Sequence, residues 1–171
     1  EETNEAYSLA KIMGIKMCEY YSQFLNINYN SLMPPKLYGP NDKFDIVNSH
    51  FYPAQIKKII LAKKNNKKTL NIWGTGRAKR ELMFVDDFAD AVVFFMKKRI
   101  KEPFLNIGTG KDHSINWYAK MLMRFMNVKL KISYDVKKPD GMPRKCLDIN
   151  LAKKYGWRPK NNFKKGFELT F

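Results

Sequence analysis

The sequence predicts an α/β protein in which strands and helices alternate along the whole chain. Two patterns support this prediction. Apolar residues recur with the 3.6-residue period of a helix in several stretches, and short apolar runs bounded by glycine, proline or aspartate lie between them. With 171 residues, 44% of them hydrophobic, the chain is long and apolar enough for one domain, or for one domain and a piece of another.

The individual elements follow from the same periods and from capping residues. Helices are predicted over residues 4–25, 48–64, 88–98, 115–126 and 150–155 and from about residue 163. Strands are predicted over residues 28–33, 70–73, 81–85, 104–107, 130–134 and 145–147. Side chains that can cap the helices are Thr3 or Asn4, Asn48 and Ser49, Asp86 and Asp87, and Ser114.

The net charge of +16 leaves two interpretations open. Most basic residues are lysines spread along the chain, which is typical of a solvated surface. A basic module that binds nucleic acid is the alternative, but no arginine-rich cluster with aromatic residues and no zinc-finger spacing supports it. Cys18 and Cys146 are expected to be buried free thiols in a reducing cytoplasm, and no apolar run is long enough to predict a membrane span.

Tyr7 and Lys11 are the first candidate catalytic pair. Their Tyr-x-x-x-Lys spacing places both side chains on one face of the first helix, and a nearby ammonium favours the phenolate form of a tyrosine. Such a pair can donate a proton during carbonyl reduction. The motif is weak evidence alone, because Tyr134 and Lys138 repeat it, and a solvated helix face is the alternative.

Three further features could form a small-molecule site. His50 is suited to proton transfer near neutral pH, although a histidine that only satisfies hydrogen bonds at a helix start is the alternative. A turn from Trp73 to Gly76 is accompanied by Lys57, Lys58, Arg77 and Arg80, which could bind a diphosphate or simply form a solvated basic loop. The loop that contains Lys138, Asp140 and Arg144 could bind an anion or a hydroxyl group.

Taken together, these stretches resemble the GDP-L-fucose synthases, which are GDP-4-keto-6-deoxy-D-mannose epimerase/reductases of the extended short-chain dehydrogenase/reductase family. The similar motifs are Asn4-Glu5-x-Tyr7-x-x-x-Lys11, Met33-Pro34-x-x-Leu37-Tyr38-Gly39-Pro40, Asn48-Ser49-His50, Trp73-Gly74-x-Gly76, Val85-Asp86-Asp87, Asn106-x-Gly108-Thr109-Gly110 and Lys138-Pro139-Asp140-Gly141-x-Pro143-Arg144-Lys145. The resemblance implies the C-terminal part of an NAD(P)-binding Rossmann fold plus a smaller α/β substrate-binding domain.

The resemblance also implies roles for individual residues. Tyr7 would donate a proton to the C4 keto oxygen, Lys11 would assist it and hold the nicotinamide ribose of NADPH, and His50 would be the acid of the 3,5-epimerisation. The residues that would lie along the cofactor, in addition to Lys11 and His50, are Pro34, Pro35, Lys36 and Leu37. The residues that would bind the GDP-sugar are Lys58, Trp73, Arg80, Lys138, Asp140 and Arg144.

The resemblance predicts the organisation of the chain as well. Residues 1–47 would end the Rossmann-type domain, residues 48–171 would mainly bind substrate, and residues 81–110 would partly return to the first domain. A homodimer through the first helix is expected.

Two departures from the family pattern bear on activity. Lys58 replaces the arginine usual in the family, and the family's NADP glycine loop, catalytic serine and epimerisation cysteine are absent from these residues. We therefore expect the chain alone to be inactive. Another nucleotide-sugar epimerase, dehydratase or reductase is the nearest alternative.

Overall fold

The computed structural model describes residues 4–171, and strands and helices alternate in it as the sequence predicts. The helices are α1 (Glu5–Leu25), α2 (Phe51–Lys64), α3 (Val85–Met96), α4 (Ile115–Phe125), α5 (Asn150–Lys154) and α6 (Phe163–Thr170). The strands are β1 (Leu32–Met33), β2 (Lys36–Tyr38), β3 (Thr69–Trp73), β4 (Lys79–Phe84), β5 (Leu105–Asn106), β6 (Asp112–Ser114), β7 (Lys131–Asp135) and β8 (Arg144–Lys145). The predicted α/β class is confirmed.

The strands form three small sheets. β1 pairs with β5 and β3 pairs with β7, both in parallel. β4 is the centre of the third sheet, because it pairs in parallel with β2 and β8 and antiparallel with β6. Its two ends therefore bring the chain segments around residues 36, 113 and 145 to one strand.

β4 also lies between two hydrophobic cores, because successive side chains of a strand point to opposite faces. Leu82 and Phe84 belong to a core that β4 shares with α2, β3 and α4. Met83, which lies between them in the sequence, is fully buried and belongs to a second core that includes α3, β5 and Trp157. Arg80 of the site described below lies on this strand, and Lys36 and Lys145 lie on the strands β2 and β8 that pair with it.

Several predicted elements need correction. Residues 36–38 and 112–114 form strands β2 and β6, where we expected loop and turn, because each pairs with β4 rather than following a local pattern. The strand expected over residues 28–33 is only Leu32–Met33. Asp87 does not cap α3. It is buried, and its carboxylate accepts hydrogen bonds from the backbone N–H and the side-chain amide of Asn161 at 3.0 and 2.8 Å.

The predicted caps had mixed outcomes. Ser114 caps α4 as predicted, since its Oγ accepts a hydrogen bond from the backbone N–H of Trp117 at 3.0 Å. Asn4 makes no side-chain capping bond to α1, and Thr3 lies outside the described residues. α2 begins at Phe51 with His50 at its N-cap position, because the Asp45 carboxylate instead holds the backbone of Val47 and Asn48 in a turn.

α1 contributes no buried side chain among residues 4–171. Its apolar side chains are therefore largely open to solvent, and Met13, Met17 and Phe24 are 65%, 49% and 83% exposed. Cys18 on this helix and Cys146 are free and only half-buried, so the expectation that both thiols are buried is wrong. None of the helices within residues 4–171 has the length and apolar character needed to cross a membrane.

Candidate functional site

The predicted catalytic pair lies on the exposed helix α1. Lys11 Nζ is 5.6 Å from the centre of the Tyr7 ring, so the Tyr-x-x-x-Lys spacing does place both side chains on one helix face. Tyr7 is 66% exposed, and its ring is accessible from outside the described chain. The pair is open for a ligand or another protein segment to cover.

Residues 34–37, predicted to lie along the cofactor, form the link after β1 and the start of β2. Pro34 is exposed, and Pro35 is half-buried between the two strands. Leu37 packs against the second core, which fixes the direction of its neighbour Lys36 on β2. The loop follows the carboxyl end of β1 in the parallel β1–β5 pair, and ligands of α/β proteins commonly bind at that end of parallel strands.

His50 and Lys36 form the closest contact between two predicted site residues. Lys36 Nζ lies 2.7 Å from His50 Nδ1, which is hydrogen-bond distance. Burial lowers the pKa of His50, and the nearby Lys36 ammonium lowers it further, while Asp42 acts in the opposite direction. His50 at the start of α2 is therefore biased towards the neutral imidazole.

Lys36 is also the meeting point of a group of cations. Burial lowers its pKa, and Lys145 and then Arg80 lower it further by like-charge repulsion. The strand register explains the proximity, since β4 holds Arg80 opposite Lys145 of β8 and holds Leu82 opposite Lys36. We call Lys36, Arg80 and Lys145 the cation cluster. Lys145 belongs to a motif in the sequence but was not predicted as a site residue. Its position beside Arg80 follows only from the pairing of β4 with β8.

Trp73 forms a second group of predicted residues with two lysines. Lys58 Nζ and Lys138 Nζ lie 5.1 and 5.3 Å from the centre of its ring, within the range of a cation–π interaction. Lys58 Nζ also donates a hydrogen bond to the Asn71 carbonyl at 3.1 Å, and burial lowers its pKa. Trp73 remains 45% exposed, so an aromatic surface with adjacent positive charge is available to a ligand.

The loop after β7 is attached to the Trp73 turn and to Arg80. The Asp140 carboxylate accepts hydrogen bonds from the backbone N–H and the hydroxyl of Thr75 at 2.7 and 2.6 Å, which hold the pKa of Asp140 below its usual value. A Cβ on Gly74, whose φ is +70°, would collide with that carboxylate. Arg80 donates to the carbonyl of Met142 at 2.6 Å. Asp140 therefore has a structural role, whatever it does for a ligand.

Arg144 forms an ion pair with a neighbouring carboxylate, although its side chain is 65% exposed. Its Nε and Nη2 donate to the two oxygens of Asp112 at 2.5 and 3.2 Å, a bidentate pair that joins β8 to β6. The pair fixes the strand on which Lys145 lies. The predicted contact of Arg144 with substrate stays a prediction.

Glu81 is a residue that sequence reasoning did not select as part of this region. It is 2% exposed, and its Oε1 accepts hydrogen bonds from the backbone N–H groups of Thr109 and Gly110 at 2.6 and 2.8 Å. Its Oε2 accepts one from Leu147 N–H at 2.7 Å. The sequence shows Glu81 next to Arg80, but it does not show that Glu81 contacts residues 109, 110 and 147. It holds β4 and the chain after β8 together beside the cation cluster.

The site therefore combines an imidazole with an unusual set of positive charges. His50 lies against the cation cluster, and Lys58 and Lys138 flank the partly exposed indole of Trp73. Cations at this density attract an anion, and an exposed indole can stack on a planar ring or pack against a sugar. Within residues 4–171, no group of histidine, cysteine or acidic residues could hold a metal ion.

Comparison with known proteins decides the family. Residues 1–108 match the model of the NAD dependent epimerase/dehydratase family. The chain belongs to this family. It is 41% identical over 171 residues to a GDP-L-fucose synthase of Sinorhizobium fredii and 40% identical over 172 residues to a GDP-L-colitose synthase of Yersinia pseudotuberculosis. It covers 54% and 56% of those two proteins, so this epimerase/dehydratase chain spans about half the length of the curated relatives that it matches.

A solved structure agrees with the fold. The GDP-mannoheptose C4 reductase of Campylobacter jejuni, solved with NADP bound, superposes with a TM-score of 0.88 at 27% identity. The alignment covers 99% of this chain and 60% of the reductase. The predicted Rossmann-like architecture is confirmed by these comparisons.

Proposed function

We propose that this chain is the sugar-nucleotide-binding part of an NADPH-dependent enzyme that epimerises GDP-4-keto-6-deoxy-D-mannose at C3 and C5 and reduces it at C4 to GDP-L-fucose. The observation that supports this most directly is the contact of His50 with Lys36 inside the cation cluster. A proton-transfer group beside several cations suits a keto sugar that is attached to a diphosphate. The similarity to a GDP-L-fucose synthase gives the sugar nucleotide its identity in this proposal.

In the proposed site each of the two groups of cations binds a different part of the substrate. Lys58 and Trp73, with Lys138, hold the GDP part, because the indole offers a face for the base or ribose and the ammonium groups offer charge for the phosphates. Arg80 and Lys145 hold the phosphate nearest the sugar. The keto sugar then lies against His50, where its acidic C3 and C5 protons can be exchanged.

Two parts of the chain would hold the nicotinamide and ribose end of NADPH. One is Lys11 next to the exposed Tyr7, and the other is residues 34–37, which follow the carboxyl end of β1 in a parallel pair of strands. When bound, the cofactor supplies the hydride that reduces C4. Tyr7 would donate a proton to the C4 oxygen, and Lys11 would stabilise the phenolate that remains.

The predicted domain boundaries form part of the proposal. Residues 1–47 and part of residues 81–110 would belong to a Rossmann-type domain whose remaining strands and helices come from outside these 171 residues. The second core, which joins β1, β5 and α3, would be the portion of that domain present here. The apolar face of α1 would be covered partly by the rest of this domain and partly by a second copy of the protein in a homodimer.

The test uses the full natural chain that carries these residues. Wild type, His50→Gln and His113→Gln are compared by NADPH absorbance with GDP-4-keto-6-deoxymannose and by chromatography of the products. His113 is a matched control, because it lies on β6 with its ring stacked on Trp117, 3.7 Å between ring centres. We expect His50→Gln to lose at least about 100-fold in formation of the fucose epimer, the size of a lost general acid, and His113→Gln to retain activity. An inert wild type, or equal losses in both variants, would refute the proposal.

A second GDP-sugar is the alternative that a specific observation favours. The 40% identity to a GDP-L-colitose synthase is close to the identity to the fucose synthase, so a related GDP-keto sugar is tested in the same assay. A preference for that sugar would retain the enzyme class and change the substrate.

A further inference from the structure

We propose that Lys36 and His50 form a two-residue proton relay, in which Lys36 Nζ supplies a proton to His50 Nδ1 while His50 Nε2 releases another to the sugar carbon. The inference rests on the proposed function for the identity of the acceptor, and on the 2.7 Å contact between the two nitrogens for the relay itself. Lys36 does not touch the sugar in this scheme. It is a positioning residue that acts through His50.

The relay explains how His50 can act as an acid although its surroundings lower its pKa. A histidine donates a proton easily only as the imidazolium, because a neutral imidazole that lost its remaining N–H proton would become an imidazolate. Burial and the neighbouring Lys36 both lower the pKa of His50, so this site disfavours the imidazolium. His50 acting alone would therefore be in the form that an acid needs less often than an ordinary histidine.

An ammonium at Nδ1 removes this limitation. Only one proton can lie between Nζ and Nδ1 at hydrogen-bond distance, so when Lys36 is an ammonium, Nδ1 accepts and the imidazole hydrogen is on Nε2. As Nε2 gives this proton to the carbanionic sugar carbon, Nδ1 takes one from Lys36. The products are a neutral sugar carbon, a neutral imidazole with its hydrogen on Nδ1, and a neutral lysine amine. Charge and protons balance, because the negative charge on the sugar and the positive charge on Lys36 disappear together.

The surroundings of Lys36 favour release of its proton. Burial, Lys145 on β8 and Arg80 on β4 all lower the pKa of Lys36, while Asp42 in the loop after β2 opposes them. Asp42 is also the group that opposes the lowering at His50. Burial and the two cations outweigh the one carboxylate, so Lys36 is a better proton donor than a solvated lysine. Lys36 is half-buried rather than enclosed, so water can restore its proton between turnovers.

The first test measures the pair without using activity. The ¹⁵N signals of His50 are identified in the full natural chain by their loss in His50→Gln, and are followed against pH in wild type, Lys36→Met and Lys43→Met. Lys43 is the matched control, an exposed lysine of the loop after β2 whose removal changes net charge equally. We expect the neutral imidazole of wild-type His50 to carry its hydrogen on Nε2. We expect the pKa of His50 to rise in Lys36→Met, because an adjacent cation is lost, and to stay at the wild-type value in Lys43→Met. An Nδ1-protonated ring in wild type, or the same pKa in all three proteins, overturns the relay.

The second test separates a relay from a merely structural contact. Incorporation of deuterium from D₂O at C3 and C5 of GDP-4-keto-6-deoxymannose is measured by mass spectrometry between pH 6 and pH 8. Without Lys36, His50 can donate only as an imidazolium, whose fraction falls as the pH rises above the imidazole pKa. We expect the rate of Lys36→Met relative to wild type to fall at least about tenfold from pH 6 to pH 8. Lys36→Arg, which retains charge but transfers its proton far less readily, should be slow at both.

Other outcomes overturn the relay or the function separately. A Lys36→Met rate that is reduced by one factor at every pH shows a structural role and overturns the relay. A wild type that exchanges no deuterium refutes the proposed function, and the ¹⁵N titration then decides the relay by itself.

Discussion

Glu81 should be one of the most sensitive positions for the stability of the chain. Its buried carboxylate accepts hydrogen bonds from Thr109, Gly110 and Leu147, at distances of 2.6 to 3.1 Å, and so joins β4 to two loops. Glu81→Gln preserves the shape of the side chain but replaces Oε2, or Oε1, by an NH₂ group that cannot accept. We expect the amide to turn its nitrogen towards Leu147, because Oε1 serves more donors.

The cost of this change can be worked from the contacts. The bond to Leu147 N–H is lost and leaves a buried donor facing another donor, and the bonds to Oε1 weaken from charge-assisted to neutral. At about 1.5–3 kcal/mol for a charge-assisted bond and 0.5–1.5 for a neutral one, the gross loss is about 5 kcal/mol. Gln avoids part of the desolvation cost of a buried carboxylate, so we expect a net loss of about 3 kcal/mol in the free energy of unfolding.

Urea unfolding followed by circular dichroism measures the change, with the m-value required to stay constant. Glu168→Gln is the matched control, because Glu168 lies at the surface in a 3.8 Å ion pair with Lys164 and should change stability by less than about 0.5 kcal/mol. A loss below about 1 kcal/mol for Glu81→Gln would refute the argument that this carboxylate holds the loops together.

Four further outcomes follow from the structure. Ser114→Ala removes the cap of α4 and should lower the free energy of unfolding by about 1 kcal/mol in the same urea assay, and an unchanged midpoint would contradict this. If the proposed GDP site is correct, Trp73→Ala should weaken GDP binding about tenfold by calorimetry, because the ring is lost and Lys58 and Lys138 lose their contact with it, whereas equal affinity would exclude Trp73 from that proposed site. Arg144 holds the pKa of Asp112 below its ordinary value, so the pair stabilises the fold near neutral pH and loses its contribution as the pH falls through that lowered pKa. Asp112→Asn should therefore cost up to about 1 kcal/mol at pH 7 and progressively less below about pH 4, and a pH-independent difference would contradict this. The 171 residues alone should not oxidise NADPH with GDP-4-keto-6-deoxymannose, and any oxidation that depends on this sugar would disprove that expectation.

Local signals in the sequence were enough for much of this protein. The helical periods placed the helices, and Ser114 capped α4 as predicted, because a cap acts on a backbone group three residues away. The strand over residues 70–73 was also predicted correctly to within a residue, since its alternating burial reflects its own composition. The ordered motifs indicated the family that the comparisons confirm.

Only the tertiary structure decided which side chains meet. Strands β2 and β6 exist because they pair with β4, and no periodicity within such short segments could reveal that pairing. The contact of Lys36 with His50 joins residues 14 apart, and the bonds of Asp87 to the chain at Asn161 join residues 74 apart. The strength of hydrogen bonds and of like-charge repulsion depends on distance in space and not on separation along the sequence. The sequence by itself therefore determined the elements and the candidate residues, and the packing around β4 decided that an imidazole and several cations would share one site.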